Sequence, residues 1–245
     1  MTARARRILL LGGTAEAREL ADLLAAVPGV TAITSLAGRT SNPLMPAGET
    51  RSGGFGGVAG LTAYLHDQAI DLVADATHPF AATMSAHGAQ ACAHTGIPYL
   101  RLERPAWQAG DGDTWHMVKD IAAAALALAP GARVLAAGGS GELAPFFARG
   151  DVSLFARMIE PPPAPVPGHA EIILARPPFS LEEELALMRD KQISVLVAKN
   201  SGGAGYAKLI TARMLKLGVV MVARPEKPQA PAAATAEAMR DLILA

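Results

Sequence analysis

At 245 residues, 51% of them hydrophobic, the chain is long enough for one large domain or two small ones, each with a core of its own. Its 22 basic and 22 acidic side chains cancel, which removes the global positive field that nucleic-acid binders use. The one cysteine, Cys92, excludes an internal disulfide, fits a reducing compartment, and reads as a small buried hydrophobe among helical alanines.

The opening MTARARR leads directly into a strand with no small-residue cleavage site, the expected start of a cytoplasmic protein. Arg7 to Leu11 (RILLL) is a buried strand, followed by Gly12-Gly13-Thr14 and a helix from Ala15 to Ala26 with leucines at 20, 23 and 24. Strand, glycine turn and helix form the opening of a nucleotide-binding βαβ unit. Gly12 and Gly13 let backbone approach a phosphate, and Thr14 adds a hydroxyl donor. The full G-x-G-x-x-G pattern is absent, so a glycine bend without a ligand stays open as a reading of this turn alone. A second strand, Val30 to Leu36, ends at Ala37-Gly38-Arg39-Thr40-Ser41. An acid at that tip binds the ribose of NAD, whereas an arginine suits the extra phosphate of NADP. Arg39, with Ser35 nearby and no acid in the tip, therefore favours NADPH if the site takes a dinucleotide. The loop RSGGFGG, residues 51–57, has four glycines in five positions, which suits close passage of backbone past a ligand; a helix from Val58 to Gln68 follows.

From Asp71 to Pro105 the chain is expected to run strand, ligand loop, helix, strand. Leu72-Val73-Ala74 stops at Asp75-Ala76-Thr77-His78-Pro79, a helix spans Pro79 to His94, and Ile97 to Leu102 closes at Arg104-Pro105. Proline is tolerated in a first helical turn, which puts Thr77 and His78 at a cap suited to an anion or polar ligand.

After a Gly/Asp-rich joint at 106–113 the plan returns. Arg133 to Ala137 runs into Gly138-Gly139-Ser140-Gly141-Glu142, echoing Gly12-Gly13-Thr14-Ala15-Glu16. Ile172 to Ala175 with Arg176 and Phe179 echoes Arg51, Phe55 and the helix after them. Ile193 to Ala198 ends at Lys199-Asn200-Ser201-Gly202-Gly203, a helix covers Tyr206 to Leu217, and Val219 to Ala223 ends at Arg224-Pro225. Four matches in the same order predict an α/β protein of two Rossmann-like domains, 1–108 and 109–245, with parallel sheets facing each other across a cleft. Residues 226–233 read as a Pro/Ala linker and Thr235 to Leu244 as a closing helix.

Arg39, Arg51, Arg104, Arg157, Arg176, Lys199 and Arg224 all fall at strand ends or loops, so a neutral protein can still present a local cationic wall to a polyanion. Metal-ligand spacings and a G-x-S-x-G elbow are missing. The longest apolar run, Ile121 to Ala137, is broken by Pro130, Gly131 and Arg133, short of the ~20 residues of a membrane span.

Taken together, LLLGGTAEAREL, SLAGRT, RSGGFGG, DATHPFA, LRLERPAW and VAKNSGG resemble the precorrin-6A reductase family across Arg7 to Pro225. The resemblance implies NADPH-dependent hydride transfer to a ring-contracted tetrapyrrole rich in carboxylates, giving precorrin-6B in cobalamin biosynthesis. It implies that Gly12, Gly13 and Thr14 hold the pyrophosphate, that Ser35 and Arg39 hold the 2′-phosphate, and that Thr77 and His78 lie near the nicotinamide. Ala15, Gly38 and Gly57 complete the coenzyme set. Arg104, Arg157, Lys199, Asn200, Ser201 and Gly202 are implied on the substrate side. Water, His78 or Lys199 supplies the proton; the two side chains are the catalytic candidates. Cobalt-precorrin-6A reductases share much of the motif set. A two-domain sugar-nucleotide transferase and a dinucleotide-sensing module are the readings from other classes.

Overall fold

The computed structural model describes residues 4–38, 44–137, 142–163 and 165–245. The chain forms two compact units, Met1–Pro105 with Glu226–Ala245, and Ala106–Pro225.

In the first unit, β1 (Arg6–Leu11), α1 (Ala15–Ala25), β2 (Val30–Leu36) and β3 (Glu49–Ser52) run outward to one side of the sheet. After α2 (Gly57–Asp67) the chain crosses back, and β4 (Leu72–Asp75), α3 (Ala82–Thr95) and β5 (Tyr99–Leu102) build the other side. The second unit begins with β6 (Thr114–Val118) and α4 (Ile121–Leu126), then repeats the plan. Its elements are β7 (Arg133–Ala137), α5 (Ala144–Phe147), β8 (Ser153–Met158), β9 (Ala170–Leu174), α6 (Leu181–Asp190), β10 (Val195–Lys199), α7 (Ala207–Met214) and β11 (Gly218–Val222). The chain then returns to the first unit with β12 (Ala232–Ala233) and α8 (Ala236–Leu244).

Both sheets are six-stranded and parallel, ordered β12-β5-β4-β1-β2-β3 and β6-β11-β10-β7-β8-β9. The first is the 3-2-1-4-5-6 order of dinucleotide-binding folds, with β12 in the sixth place. The two units differ in how that sixth place is filled. In the first unit the edge strand and its helix come last in the chain; in the second, β6 and α4 come first.

Alternation along β1 shows why the first sheet is buried on both faces. Ile8 and Leu10 face Leu20 and Leu24 of α1 and Met239 and Ile243 of α8, while Leu9 and Leu11 face Leu61 and Leu65 of α2 and Cys92 of α3. Each of these leucines removed from water contributes about 1.5–3 kcal/mol. Burial also pushes the Cys92 thiol up to about 12, so it stays an unreactive core group.

Two expectations need correcting. Residues 226–245 do not belong with the second domain. Ala232 and Ala233 pair with Arg101 and Leu102, and Ala236, Met239 and Ile243 put an apolar stripe into the first core, so the tail is held by burial rather than left as a linker. Helix α3 starts at Ala82 and not at Pro79: residues 79–80 form a turn, and Ala81, at φ −88° and ψ 49°, is not yet in helical backbone. Thr77 and His78 therefore lie on a strand-end loop and not at a helix cap. Strands β3, β6 and β8 were not expected at all. Among the described residues no helix is long and apolar enough to cross a membrane.

Candidate functional site

The order in which the chain adds strands to the first sheet reverses between β1 and β4, and ligands of open α/β sheets bind outside the carboxyl ends of strands at such a switch point. Here the glycine turn after β1 lies beside the loop after β4. Gly12 N–H donates to the Ser35 carbonyl (2.9 Å) and Ala76 N–H to the Leu11 carbonyl (2.9 Å), so both neighbours pin the tip of β1. A Cβ on Gly12 would stand 2.8 Å from Thr34 Cγ2, and Gly13 has φ +109°, a conformation that favours glycine. Thr14 caps α1: its hydroxyl oxygen accepts from Ala17 N–H (3.0 Å) and its proton goes to the Ala76 carbonyl (2.9 Å). The hydroxyl expected to meet a phosphate is thus spent on joining the β1 and β4 loops. What the turn offers an anion is backbone, the first-turn amides from Ala15 onward. These residues fit a dinucleotide pyrophosphate: two positions without side chains stand before an eleven-residue helix.

Glu16, in that first turn, is held by Arg104 at 2.6 Å. Burial alone would raise its carboxyl, but the Arg104 hydrogen bond, its own backbone amide and the Arg104 charge hold it below the usual glutamate range. Thr14, Glu16, Ala76, Thr77, Pro79 and Arg104 line a crevice of about 10 Å³, at most one water, so a dinucleotide would run along this rim rather than inside it. A larger depression of about 400 Å³ follows the outer face of α1 past Arg18, Glu19 and Asp22, away from the strand ends.

The loop after β4 is built around Asp75, 1% exposed. Its carboxylate accepts from Thr77 N–H (3.0 Å) and Tyr99 OH (2.6 Å). Lys227, from the returning tail, donates to Thr77 Oγ1 and to the His78 carbonyl, each at 3.2 Å. His78 Nδ1 accepts from Phe80 N–H (3.2 Å), which leaves the proton of the neutral ring on Nε2. Burial alone would raise the Asp75 carboxyl, yet the Lys227 charge and the Ser85, Thr77 and Tyr99 hydrogen bonds keep it below the ordinary aspartate value. Being lower folded than unfolded, this group adds stability that is present above roughly pH 4 and lost as pH falls through its folded value. Asp75→Asn is expected to flatten that acid-side slope in urea titrations between roughly pH 5 and 2; an unchanged slope would contradict the assignment.

At the β2–β3 tip, Ser35 is register partner to Arg51, whose guanidinium donates to Ser35 Oγ (2.7 Å) and the Gly53 carbonyl (2.9 Å) and lies 3.9 Å over the Phe55 ring. Gly38 has φ +71° and Gly57, the first residue of α2, φ +82°. Arg39 lies outside the described residues.

In the second unit, Lys199 at the end of β10 donates to both Glu142 oxygens (3.0 and 2.8 Å). Asn200 does not face outward as expected. Its side chain clamps the Trp107 backbone, accepting from N–H (2.8 Å) and donating to the carbonyl (3.0 Å), while Trp107 Nε1 donates to the Gly203 carbonyl (3.0 Å). Arg224 donates to the Asn200 and Ser201 carbonyls (2.8 and 3.1 Å), and Gly202 is buried at φ +68°. Trp107 and the KNSGG segment, far apart in sequence, thus form one assembly within the second unit. Arg157 is 7% exposed, doubly bonded to Glu184 and stacked 3.8 Å over Phe179, so its guanidinium is engaged within the unit. The sequence pattern had Arg176 before Phe179; a cation from β8, Arg157, lies over that ring. The expected wall of basic residues is therefore partly balanced by Glu16, Glu142 and Glu184.

Sequence reading missed Tyr99, Glu142, Glu184 and Lys227 as organisers of these loops. Asp75 and Glu16 were inside quoted motifs, a signal that was there to use.

The chain is 45% identical over 226 residues to a precorrin-6A reductase of Rhodococcus erythropolis (91% of each chain). It is 47% identical over 235 residues to that of Rhodobacter capsulatus (94% of this chain, 93% of the relative). A cobalt-precorrin-6A reductase of Priestia megaterium is 30% identical over 237 residues (89% and 91%). A solved structure described as CobK precorrin-6A reductase superposes with a TM-score of 0.92 at 44% identity, covering 98% of this chain and 96% of that one. The model of the family described as precorrin-6x reductase CbiJ/CobK matches residues 7–243, and the chain belongs to that family of reductases.

Proposed function

We propose that this chain reduces precorrin-6A to precorrin-6B with NADPH in cobalamin biosynthesis. The observation that carries the coenzyme assignment is the glycine turn of β1, set at the switch point before an eleven-residue helix. Its counterpart in the second unit, α5, has four residues, a single turn whose peptide dipoles sum to little. The higher identity to precorrin-6A reductases, against 30% or less to the cobalt-precorrin-6A reductases, favours the cobalt-free substrate.

Bound NADPH supplies the hydride. In this reading the amides around Gly12, Gly13 and Ala15 hold the pyrophosphate, and the tip with Ser35, Gly38 and Arg39 takes the 2′-phosphate, with Gly57 beside it. The Thr77–His78 loop orients the nicotinamide end. Arg104, Lys199, Ser201 and Gly202 meet substrate carboxylates, Arg104 and Lys199 by exchanging a glutamate partner for a substrate one. The protonated Nε2 of His78 or the Lys199 ammonium delivers the proton to the carbon next to the one that receives hydride, or water does.

Purified protein mixed with precorrin-6A is expected to oxidise NADPH, with loss of nicotinamide fluorescence and a change in the pigment's visible spectrum. Turnover of a UDP-sugar with no response to NADPH would overturn the reading. Arg39→Ala is expected to raise KM for NADPH about tenfold or more, the loss of one charged hydrogen bond, and to leave NADH use nearly unchanged. Equal losses with both coenzymes would remove Arg39 from the 2′-phosphate pocket.

A further inference from the structure

The buried carboxylate of Asp75 ends β4, the strand next to the glycine turn, and four groups converge on it. Thr77 N–H and Tyr99 OH are bonded at 3.0 and 2.6 Å, the Ser85 hydroxyl, 3.4 Å from Thr77 Oγ1, helps to hold the carboxyl low, and the Lys227 ammonium supplies the opposite charge. A carboxylate that is 1% exposed needs such a cation, because removing an ion from water without one is strongly unfavourable. Lys227 does more than neutralise. It fills an acceptor site of the Thr77 hydroxyl, which aims that hydroxyl's own proton elsewhere, and it holds the His78 carbonyl at the start of the His78–Pro79 bend. Thr14, by donating to the Ala76 carbonyl, ties the same loop to the turn before α1. Thr77 and His78 are thus fixed from two sides: by the residue that caps the coenzyme helix, and by a lysine 150 positions later in the chain.

We propose that Lys227 is a positioning residue of the reductase, setting the Thr77–His78 loop so that the nicotinamide end of the coenzyme lies correctly for hydride transfer. This rests on the coenzyme reading above. In this reading affinity for NADPH is set by the amides of the glycine turn and by the β2 tip, whereas Lys227 acts on Thr77 and His78, so the lysine governs the chemical step rather than binding.

The test compares K227M, which keeps the stem and drops the charge, with K227R, which keeps the charge. In the coenzyme-free protein, amide hydrogen exchange across residues 76–81 is expected to be at least about tenfold faster in K227M, a larger change than in other segments of the same unit, whose stability also falls because Asp75 loses its cation. With NADPH and precorrin-6A, K227M is expected to lose about ten- to a hundredfold in kcat with KM for NADPH within about threefold of wild type. The primary isotope effect with 4-deuterated NADPH is expected to rise, and K227R to recover part of each change. Unaltered exchange and kcat, or a raised KM at normal kcat, would overturn the proposal. If K227M does not fold, K227Q is read by the same criteria. A wild-type protein that ignores NADPH would instead sink the functional reading, while the exchange measurement would still report on Lys227.

Discussion

Glu184→Leu is expected to lower the unfolding free energy of the 106–225 unit by about 3–5 kcal/mol, the usual consequence of stranding one member of a buried ion pair. Arg157 Nη1 and Nη2 donate to Glu184 Oε2 and Oε1 at 3.0 and 2.7 Å, and the two side chains are 6% and 3% exposed. The parallel two-bond geometry is the strong form of a charged hydrogen bond. The leucine leaves a guanidinium buried between β8 and α6 with the Phe179 face as its remaining neighbour. Phe179 stands just ahead of the capping box formed by Ser180 and Glu183 at the start of α6, so the loss should also loosen that helix start. The second substitution makes the test sharp. Arg157→Met in the Glu184→Leu background removes the orphaned charge and should restore most of the stability, since apolar replacements of whole buried pairs are often neutral. Urea unfolding followed by a probe in each unit would show this; a double variant as weak as the single one would refute the account. If Arg157 bound a substrate carboxylate directly, the double variant would be equally stable but would lose affinity for the pigment.

That pair also marks the line between what the sequence made legible and what it hid. Punctuation was readable. Glycine turns after apolar runs, Arg-Pro closures and their recurrence located β1, β4, β5, β7, β10 and β11, because each is written in a few consecutive residues whose backbone demands are local. The alignment of Arg104-Pro105 with Arg224-Pro225 holds in the sheets, where β5 and β11 occupy the same place. Partnership was not readable. Arg157 and Glu184, Asn200 and Trp107, Lys227 and Thr77 meet only after two layers have packed, and a charged residue at a strand end looks alike whether it faces solvent or a buried glutamate. Hence Arg157 and Asn200 read as ligands for a substrate, and in the fold they brace Glu184 and Trp107. The tail failed for another reason. Its prolines and alanines have the composition of a linker, and a two-residue strand leaves no periodicity to detect. The spacing of Ala236, Met239 and Ile243 on α8 was the available sign that this segment must bury a face somewhere.

Gly12→Ala should cost at least about tenfold in affinity for NADPH, and Thr34→Ser should give much of it back. The added Cβ would stand 2.8 Å from Thr34 Cγ2, closer than packed carbons approach. Thr34 is 1% exposed on β2, and as a β-branched residue it has few rotamers to retreat into. Relief must come from the turn, which moves away from β2 and takes with it the amides proposed above to face the pyrophosphate. Overpacking of this kind costs about 1–3 kcal/mol, and 1.4 kcal/mol of it appearing in binding is already tenfold. Serine at 34 deletes the colliding methyl while keeping a hydroxyl, so in the Gly12→Ala background it reopens the space without touching the ligand side. Titration of nicotinamide fluorescence across the four proteins separates two explanations. If the double variant regains affinity, the methyl contact sets how closely the turn approaches the coenzyme. If it binds as weakly as Gly12→Ala alone, the glycine is needed for direct approach of the phosphate to its α-carbon, and the buried threonine has no part in it.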